Sequence, residues 1–525
     1  MSELADAIAA ARAAEQHSFH MPGHRHGAGA GADALGMLGG AAFAHDVSEL
    51  SGFDYLHAPG PALNAAQARA AAAFGADRTW FLVNGATVGN LAAVAAVAGP
   101  GRALVMARAS HRSVYSAVAV TGAGAAYLPP TFTADGSLWL APAASDARQL
   151  LASTPDVAAV HITSPSYYGV CADVAAFAGL AHEHGMPLIV DEAHGAHFAF
   201  HPSLPPTALS QGADVVIQSP HKTLTSLTQS SLLHVRGGRV DGARLTMWLG
   251  MLQSSSPSAL LQASLDLSVA AMVRHGEARW SEVLRLVARL RTGLGSWAIE
   301  LPGVVTDPTK VLIETPSRSG YAVAAALAEV GIRPEFADPR RIVCSVGLGH
   351  TDADVDALVR AIQRFGAATA RPSSAFAPRW PAVNPVVAVP LSAALQAPTE
   401  VVPMTEVAGR ATAEYVIPYP PGVPLVVPGE VLDAQAVALL GAVRATGGRI
   451  VGPADPTGAT LRVLRSASAS PGRRSGRARV PRRVTLSRGV VRGCDVRWGN
   501  ATDHVLLVVP ALFRRPGVVG VVRWS

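Results

Sequence analysis

From residue 61 onward, short unbroken apolar runs alternate with Ala-rich segments of helical spacing. TWFLV (79–83), RALVMA (102–107), VAAVHI (157–162), PLIVD (187–191) and ADVVIQS (213–219) have the near-continuous apolar character of strands buried on both faces. Helical segments separate them: PALNAAQARAAAAFG, a stretch opening at Asn84–Gly85, HRSVYSAVAVTG, and stretches around 144–153 and 172–185. Strand and helix in alternation predict βαβ units around a buried, mainly parallel sheet. Ligands on such a sheet bind beyond the carboxyl ends of its strands. The polar residues that follow each apolar run are therefore the ones to read for chemistry.

The flanking regions are less regular. Residues 1–60 read as irregular, with a dense His/Pro/Gly run, HSFHMPGHRHGAGAGADALG. Residues 257–298 predict two long helices, with Arg and Glu interleaved among Leu and Val. VLIETPS, an Ala-rich helix, IRPEF, RRIVCSVG and a helix at 352–367 predict a smaller α/β domain. The expected division is a large domain at 61–275, a small domain at 276–370, a Pro/Ala-rich linker at 371–383 and a C-terminal domain at 384–465. Beyond it, SASASPGRRSGRARVPRRV opens a basic low-complexity tail at 466–525, expected to be disordered.

Composition narrows the class. A length of 525 residues accommodates several domains, and 49% hydrophobic content is that of a globular chain. No run of about 18 apolar residues exists, so no spanning helix and no membrane partner are expected. The N-terminus carries Glu3, Asp6 and Glu15 and lacks the pattern of a signal peptide. Cys171, Cys344 and Cys494 are odd in number and far apart, which speaks against a disulfide framework or a zinc site. A cytoplasmic protein is expected. After residue 465 there are twelve arginines against two aspartates, so the tail carries +10 of the net +6 and the remainder −4. The basic balance thus gives no reason to expect nucleic acid on the body of the protein.

Among 43 basic residues only Lys222 and Lys310 are lysines. A surface ammonium can be replaced by guanidinium, but an amine that must form a Schiff base cannot. Lys222 follows the strand ADVVIQ in Gln218-Ser219-Pro220-His221-Lys222-Thr223, about thirty residues after Asp191, which ends PLIVD. An amine and a carboxylate at neighbouring strand ends are what pyridoxal 5′-phosphate requires: the amine condenses with its aldehyde and the carboxylate holds its pyridinium. Two further strand ends add to this. Asn84-Gly85-Ala86-Thr87 opens a helix and suits a phosphate. Ser110-His111-Arg112-Ser113 offers His111 as a ring to stack on the cofactor or as a plain cap. Asp191-Glu192-Ala193-His194 also resembles a helicase DEAH box, but neither lysine lies in a P-loop. His194, His197 and His201 could hold a metal; they lack a clear carboxylate, and no metal is expected.

The stretches FHMPGHRHG (19–27), DVSELSGFDYLHAPGPALNAAQARAAAAFGA (46–76), TWFLVNGATVGN (79–90), SPSYYGVCAD (164–173), PLIVDEAHGAHFAFHPSLP (187–205), GADVVIQSPHKTLTSLTQSSLLH (212–234) and AEYVIPYPPGVPLVVPGE (413–430) resemble the bacterial pyridoxal-phosphate ornithine/lysine/arginine decarboxylases. The resemblance spans about 17 to 455. It implies a fold-type-I, aspartate-aminotransferase-like α/β architecture, with active sites at a homodimer interface to which the N-terminal arm contributes. It implies Lys222 as Schiff base, Asp191 on the pyridine nitrogen and His111 on the ring, with Ala86, Thr87, Ser219 and His221 around the phosphate and Ala193 and His194 beside the ring. The implied reaction is decarboxylation of a basic L-amino acid to an amine of polyamine metabolism, with Lys222 or His221 returning a proton to Cα. Another pyridoxal reaction, or a degenerate regulatory role, stays open. An acid should hold the distal cation of the substrate, and Asp46, Glu49, Glu414 and Glu430 are the candidates. Arg25 and Arg112 stand where the family often has Lys, and Met21 where Thr is commoner. The receiver-like N-terminal domain of the large acid-inducible members is not seen, and the tail after 465 has no recognised counterpart.

Overall fold

The computed structural model describes residues 2–15, 17–48, 54–314, 318–366, 380, 384–419, 422–445 and 447–465. Glu49, nearly all of the expected linker and the whole basic tail lie outside the described residues.

The apolar runs become a seven-stranded sheet. Its members are β1 (Arg78–Leu82), β2 (Ala103–Ala107), β3 (Gly124–Leu128), β6 (Val157–Thr163), β7 (Leu188–Asp191), β8 (Val215–Gln218) and β9 (Ser231–Val235). A small hairpin, β4 (Thr131–Phe132) with β5 (Trp139–Leu140), interrupts the series. The spatial order is β1-β9-β8-β7-β6-β2-β3. The five strands from β8 to β3 run parallel, while β9 pairs antiparallel with both β8 and β1. β7, β8 and β9 are buried along their full length, as sheets covered on both faces require. The sheet is mainly parallel, and the α/β fold class expected from the sequence is the one observed.

Six helices precede or flank the first strands: α1 (Glu3–Ala14), α2 (Ala32–Leu38), α3 (Gly40–His45), α4 (Pro61–Phe74), α5 (Gly85–Val97) and α6 (Arg112–Thr121). The first three correct the expectation of an irregular segment at 1–60. Ala-rich sequence favours helix, and α1 gains a tertiary anchor by burying Leu4 and Ile8. α5 lies close on the sheet because Gly89 has no side chain. A Cβ there would sit 2.8 Å from Ile217 Cγ2 and 2.9 Å from Leu82 Cδ1.

The segment expected to hold two helices is one, Ala259–Leu294, of 36 residues. It buries Leu265, Val269, Trp280, Leu286 and Leu290 and runs from the large sheet to the small domain. That domain is a four-stranded antiparallel sheet, β10 (Ala298–Ile299), β11 (Lys310–Glu314), β12 (Phe336–Ala337) and β13 (Arg341–Ser345), in the order β10-β11-β13-β12. The C-terminal segment packs the helix Ala434–Ala445 with two two-stranded sheets over a separate core that includes Val416, Val426, Leu439 and Val463.

Candidate active site

Parallel strands place their carboxyl ends on one edge of the sheet, and one cavity of about 430 Å³ opens there. After β2 come Ser110 and His111, at the end of β6 Thr163 and then Pro165 to Tyr168, after β7 Ala193 and His194, and after β8 Ser219, His221 and Lys222. The first turn of α5, with Ala86 and Thr87, closes another side. Of the residues read from the sequence, Ala86, Thr87, His111, Asp191, Ala193, His194, Ser219, His221 and Lys222 all line this one space.

Asp191 is the last residue of β7 and its carboxylate is buried. Asn90 Nδ2 donates to Oδ2 at 2.8 Å, and the Ala193 N–H donates to Oδ1 at 3.1 Å. The sequence reading assigns Asp191 to the protonated pyridine nitrogen of the cofactor, and among the described residues the carboxylate is free of a protein cation. Its hydrogen-bond partners are neutral amides, and its charge is directed to the cavity, where Lys222 feels its attraction. The Asn90 amide is fully engaged, because it also donates to Ser113 Oγ at 3.0 Å and its carbonyl lies 3.3 Å from His161 Nε2. Burial keeps His161 neutral, with its pKa lowered to about 4.

Lys222 stands at the end of a four-residue helix begun by Pro220. Burial depresses its pKa and Lys310 depresses it further, while Asp191 opposes both. More of the amine is thereby in its nucleophilic form than for a solvated lysine. Nζ lies 3.2 Å from His194 Nε2. His111 caps α6, and its Nδ1 accepts the Ser113 N–H at 3.2 Å. That bond leaves Nδ1 unprotonated, and burial lowers the pKa of the ring.

One end of the cavity is built for an anion. Asn84 precedes α5 but does not cap it; its Oδ1 accepts from Ser254 N at 3.2 Å. The first-turn N–H groups at Ala86 and Thr87 are thus free of a side-chain cap. Ser219, His221, Thr228 and Gln229 lie on the same cavity wall. His221 Nδ1 donates to the Ser230 carbonyl at 2.6 Å, which orients the ring.

The substrate acids fare differently. Asp46 bonds His24 at 3.1 Å and does not line the cavity. Glu414 accepts the backbone N–H groups of Ala454 and Arg462. Glu430 is buried in a two-pronged pair with Arg108, at 2.6 and 2.8 Å. Neither Glu414 nor Glu430 lines the cavity, and the Glu430 charge is spent on the buried Arg108. The supposed histidine trio also disperses: His194 meets Lys222, His197 meets Asp307 at 3.2 Å, and His201 meets Ser281 at 3.0 Å. Sequence reading missed Trp139, Tyr167, Tyr168, Gly422 and Val423 on the cavity wall, and Asn90 and Arg108 behind it. The SPSYYG stretch was a signal for the two tyrosines.

A seven-stranded, mainly parallel sheet with its chemistry at the strand ends is the large domain of a fold-type-I enzyme. The sequence matches the Orn/Lys/Arg decarboxylase major domain over residues 4–301 and the C-terminal domain of the same family over 378–452. It is 34% identical to an arginine decarboxylase of Bacillus subtilis, over 86% of this chain and 95% of that protein. It is 35% identical to the uncharacterized protein YaaO of the same organism, over 81% of this chain and 90% of that protein. In fold it is similar to the constitutive lysine decarboxylase of Escherichia coli, with a TM-score of 0.77 at 20% identity, covering 89% of this chain and 82% of that one. The chain belongs to the Orn/Lys/Arg decarboxylase family.

Proposed function

We propose that this chain is a pyridoxal-phosphate-dependent arginine decarboxylase that holds its cofactor on Lys222. The observation that carries the reading is that the Lys222 amine and the Asp191 carboxylate, from neighbouring strand ends, face one cavity with His111 beside them. Decarboxylation of a basic amino acid is the activity of the family; arginine in particular is supported by the name of the relative matched over 95% of its length.

The residues present fit the cofactor. An uncapped helix start matches a phosphate. A carboxylate with only neutral donors matches a protonated ring nitrogen. Ser110 Oγ, Thr163 Oγ1 and His194 Nδ1 are buried polar atoms on the cavity wall with no protein partner. When bound, the cofactor supplies an aldehyde for the substrate amine and a ring that takes up the electron pair left at Cα.

The chain supplies the rest. Asp191, held by Asn90 and Ala193, would keep a proton on the ring nitrogen. His111 would pack on the ring. Ala86, Thr87, Ser219 and His221 would hold the phosphate. The Lys222 amine would return a proton to Cα, with the neutral His194 Nε2 beside it to accept its hydrogen bond. Trp139, Tyr167 and Tyr168 wall the cavity with aromatic surface and exclude water.

Among the described residues Asp191 is the only carboxylate lining the cavity. In this reading the acid for the distal guanidinium comes from a second copy of the chain. Phe19 and Met21 on the arm, at 95% and 70% exposure, are apolar groups that a homodimer would cover. Among the described residues no helix is long and apolar enough to cross a membrane. We place the reaction in the cytoplasm, with its product entering polyamine synthesis.

The test is to incubate purified protein and cofactor with arginine, lysine and ornithine, and to read the products by mass. The expected result is CO2 and the amine from arginine ahead of the other two. A keto acid would indicate transamination. Lys222→Ala is expected to lose both activity and the absorbance of protein-linked cofactor, and retention of both sinks the assignment.

A further inference from the structure

The N-terminal arm holds a cluster that the reaction does not use. Glu15 follows α1 directly, and the His/Pro/Gly run then brings two histidines back to its carboxylate. His20 Nε2 lies 2.9 Å from Oε1, and His26 Nε2 lies 3.1 Å from Oε2. The two imidazoles meet edge to face with centroids 5.7 Å apart. The cluster is sheltered, with 7% of the His26 side chain, 17% of Glu15 and 20% of His20 exposed. One ligand atom from each residue falls within 4.8 Å of the other two.

The proton count makes this arrangement informative. His20 Nδ1 is 2.5 Å from the Met21 carbonyl oxygen. A carbonyl only accepts, so Nδ1 carries the proton. In neutral His20 the lone pair of Nε2 then points at a carboxylate oxygen, which also only accepts. Two lone pairs at 2.9 Å repel, so a positive charge must sit between them, either a second proton or a metal ion. The Nδ1 bond to a backbone carbonyl is also the usual outer support of a metal-bound imidazole, fixing its tautomer and aim. His26 Nδ1 is buried and has no protein partner, so Nε2 is the engaged nitrogen of that ring.

We infer that Glu15, His20 and His26 form a binding site for a divalent first-row transition cation, Zn²⁺ by ligand preference. Two imidazoles and a carboxylate are a borderline donor set suited to such ions. Zinc–ligand bonds of about 2.0–2.1 Å put tetrahedral ligands about 3.3 Å apart. The observed 2.9 and 3.1 Å run to different oxygens of Glu15, and the ligand atoms of the three residues lie within 4.8 Å of one another, so seating the ion draws the widest separation inward toward that spacing. Three protein ligands leave one position for water. The ion would clip the turn carrying Phe19 and Met21 to the end of α1, while the His24–Asp46 pair ties the turn to residue 46. This inference is independent of the reading of the cavity.

The full-length holoprotein, freed of metal by dialysis, is titrated with Zn²⁺ against a chromophoric chelator and with Co²⁺ for its visible bands. One equivalent is expected to bind, with affinity at least about tenfold lower in Glu15→Gln and in His26→Gln. The Co²⁺ bands of a four-coordinate N/O site should disappear in both. Glu15→Gln keeps the shape of the side chain, and melting curves establish that each variant is folded. Absence of binding in the parent protein overturns the site. So does one equivalent held equally well by both variants, since the ion then sits elsewhere.

Discussion

Asn90 ties two sides of the reaction cavity together. One N–H steadies Asp191, the other reaches Ser113, and Ser113 Oγ lies 2.8 Å from His111 Nδ1. Asn90→Ala strips Asp191 of one of two donors and leaves His161 Nε2 facing a void. An unmet buried polar group costs about 1–3 kcal/mol. The apoprotein is therefore expected to bind pyridoxal phosphate roughly tenfold to a hundredfold more weakly, read by absorbance titration. Unchanged affinity would show that Asn90 only packs. Asp191 and Lys222 were legible in the sequence because charge at the end of a buried strand has few bland explanations. Asn90 was not, because it sits inside an Ala-rich helix where local pattern says only "helix". The available signal was one amide in GATVGNLAAVAAV, a segment otherwise without hydrogen-bonding side chains beyond Thr87.

Arg108 and Glu430 show the same logic between elements. Arg108 follows β2, two residues before Ser110, and Glu430 belongs to the C-terminal segment that also places Gly422 and Val423 on the cavity wall. Arg108 gives both terminal nitrogens to Glu430, donates to the Leu425 carbonyl at 2.7 Å and lies near the rings of Tyr115 and Tyr127. Removing one partner of such a buried pair leaves an uncompensated charge, at about 3–5 kcal/mol. Glu430→Gln should lower the denaturation midpoint accordingly and loosen the C-terminal segment to proteolysis; a midpoint within experimental error of the parent would refute this. Sequence spacing could not pair residues 322 positions apart. It also divided the 36-residue helix, whose interior Gly276 is needed for packing: a Cβ there would lie 3.0 Å from Phe200 Cβ.

Three buried groups contribute in opposite directions to the pH dependence of stability. His161 and His234 stay neutral down to about 4 and about 3 because burial disfavours their charge. The unfolded chain protonates both below about 6.5, so stability falls as the pH drops from there, by about 1.4 kcal/mol per unit for each. Glu192, buried beneath Gln218 and Ala208, keeps its proton up to about 8. Unfolding releases that proton above about 4.5, so stability declines as the pH rises toward 8. The contribution of the three together peaks near 6.5. Thermal melts from pH 5 to 8.5 should show less alkaline decline in Glu192→Gln than in the parent, and parallel curves would rule the account out. At this scale the parallel sheet was legible from unbroken apolar runs. The antiparallel direction of β9 and the strand order were not, because an apolar run carries no direction or neighbour, and two of the four C-terminal strands have only three residues, too few to show a period. The scarcity of lysine has a practical side. Lys310 is buried while Lys222 is exposed to the cavity, so dyes and crosslinkers that seek lysine amines would find one reactive position, and its labelling would report whether the chamber is filled.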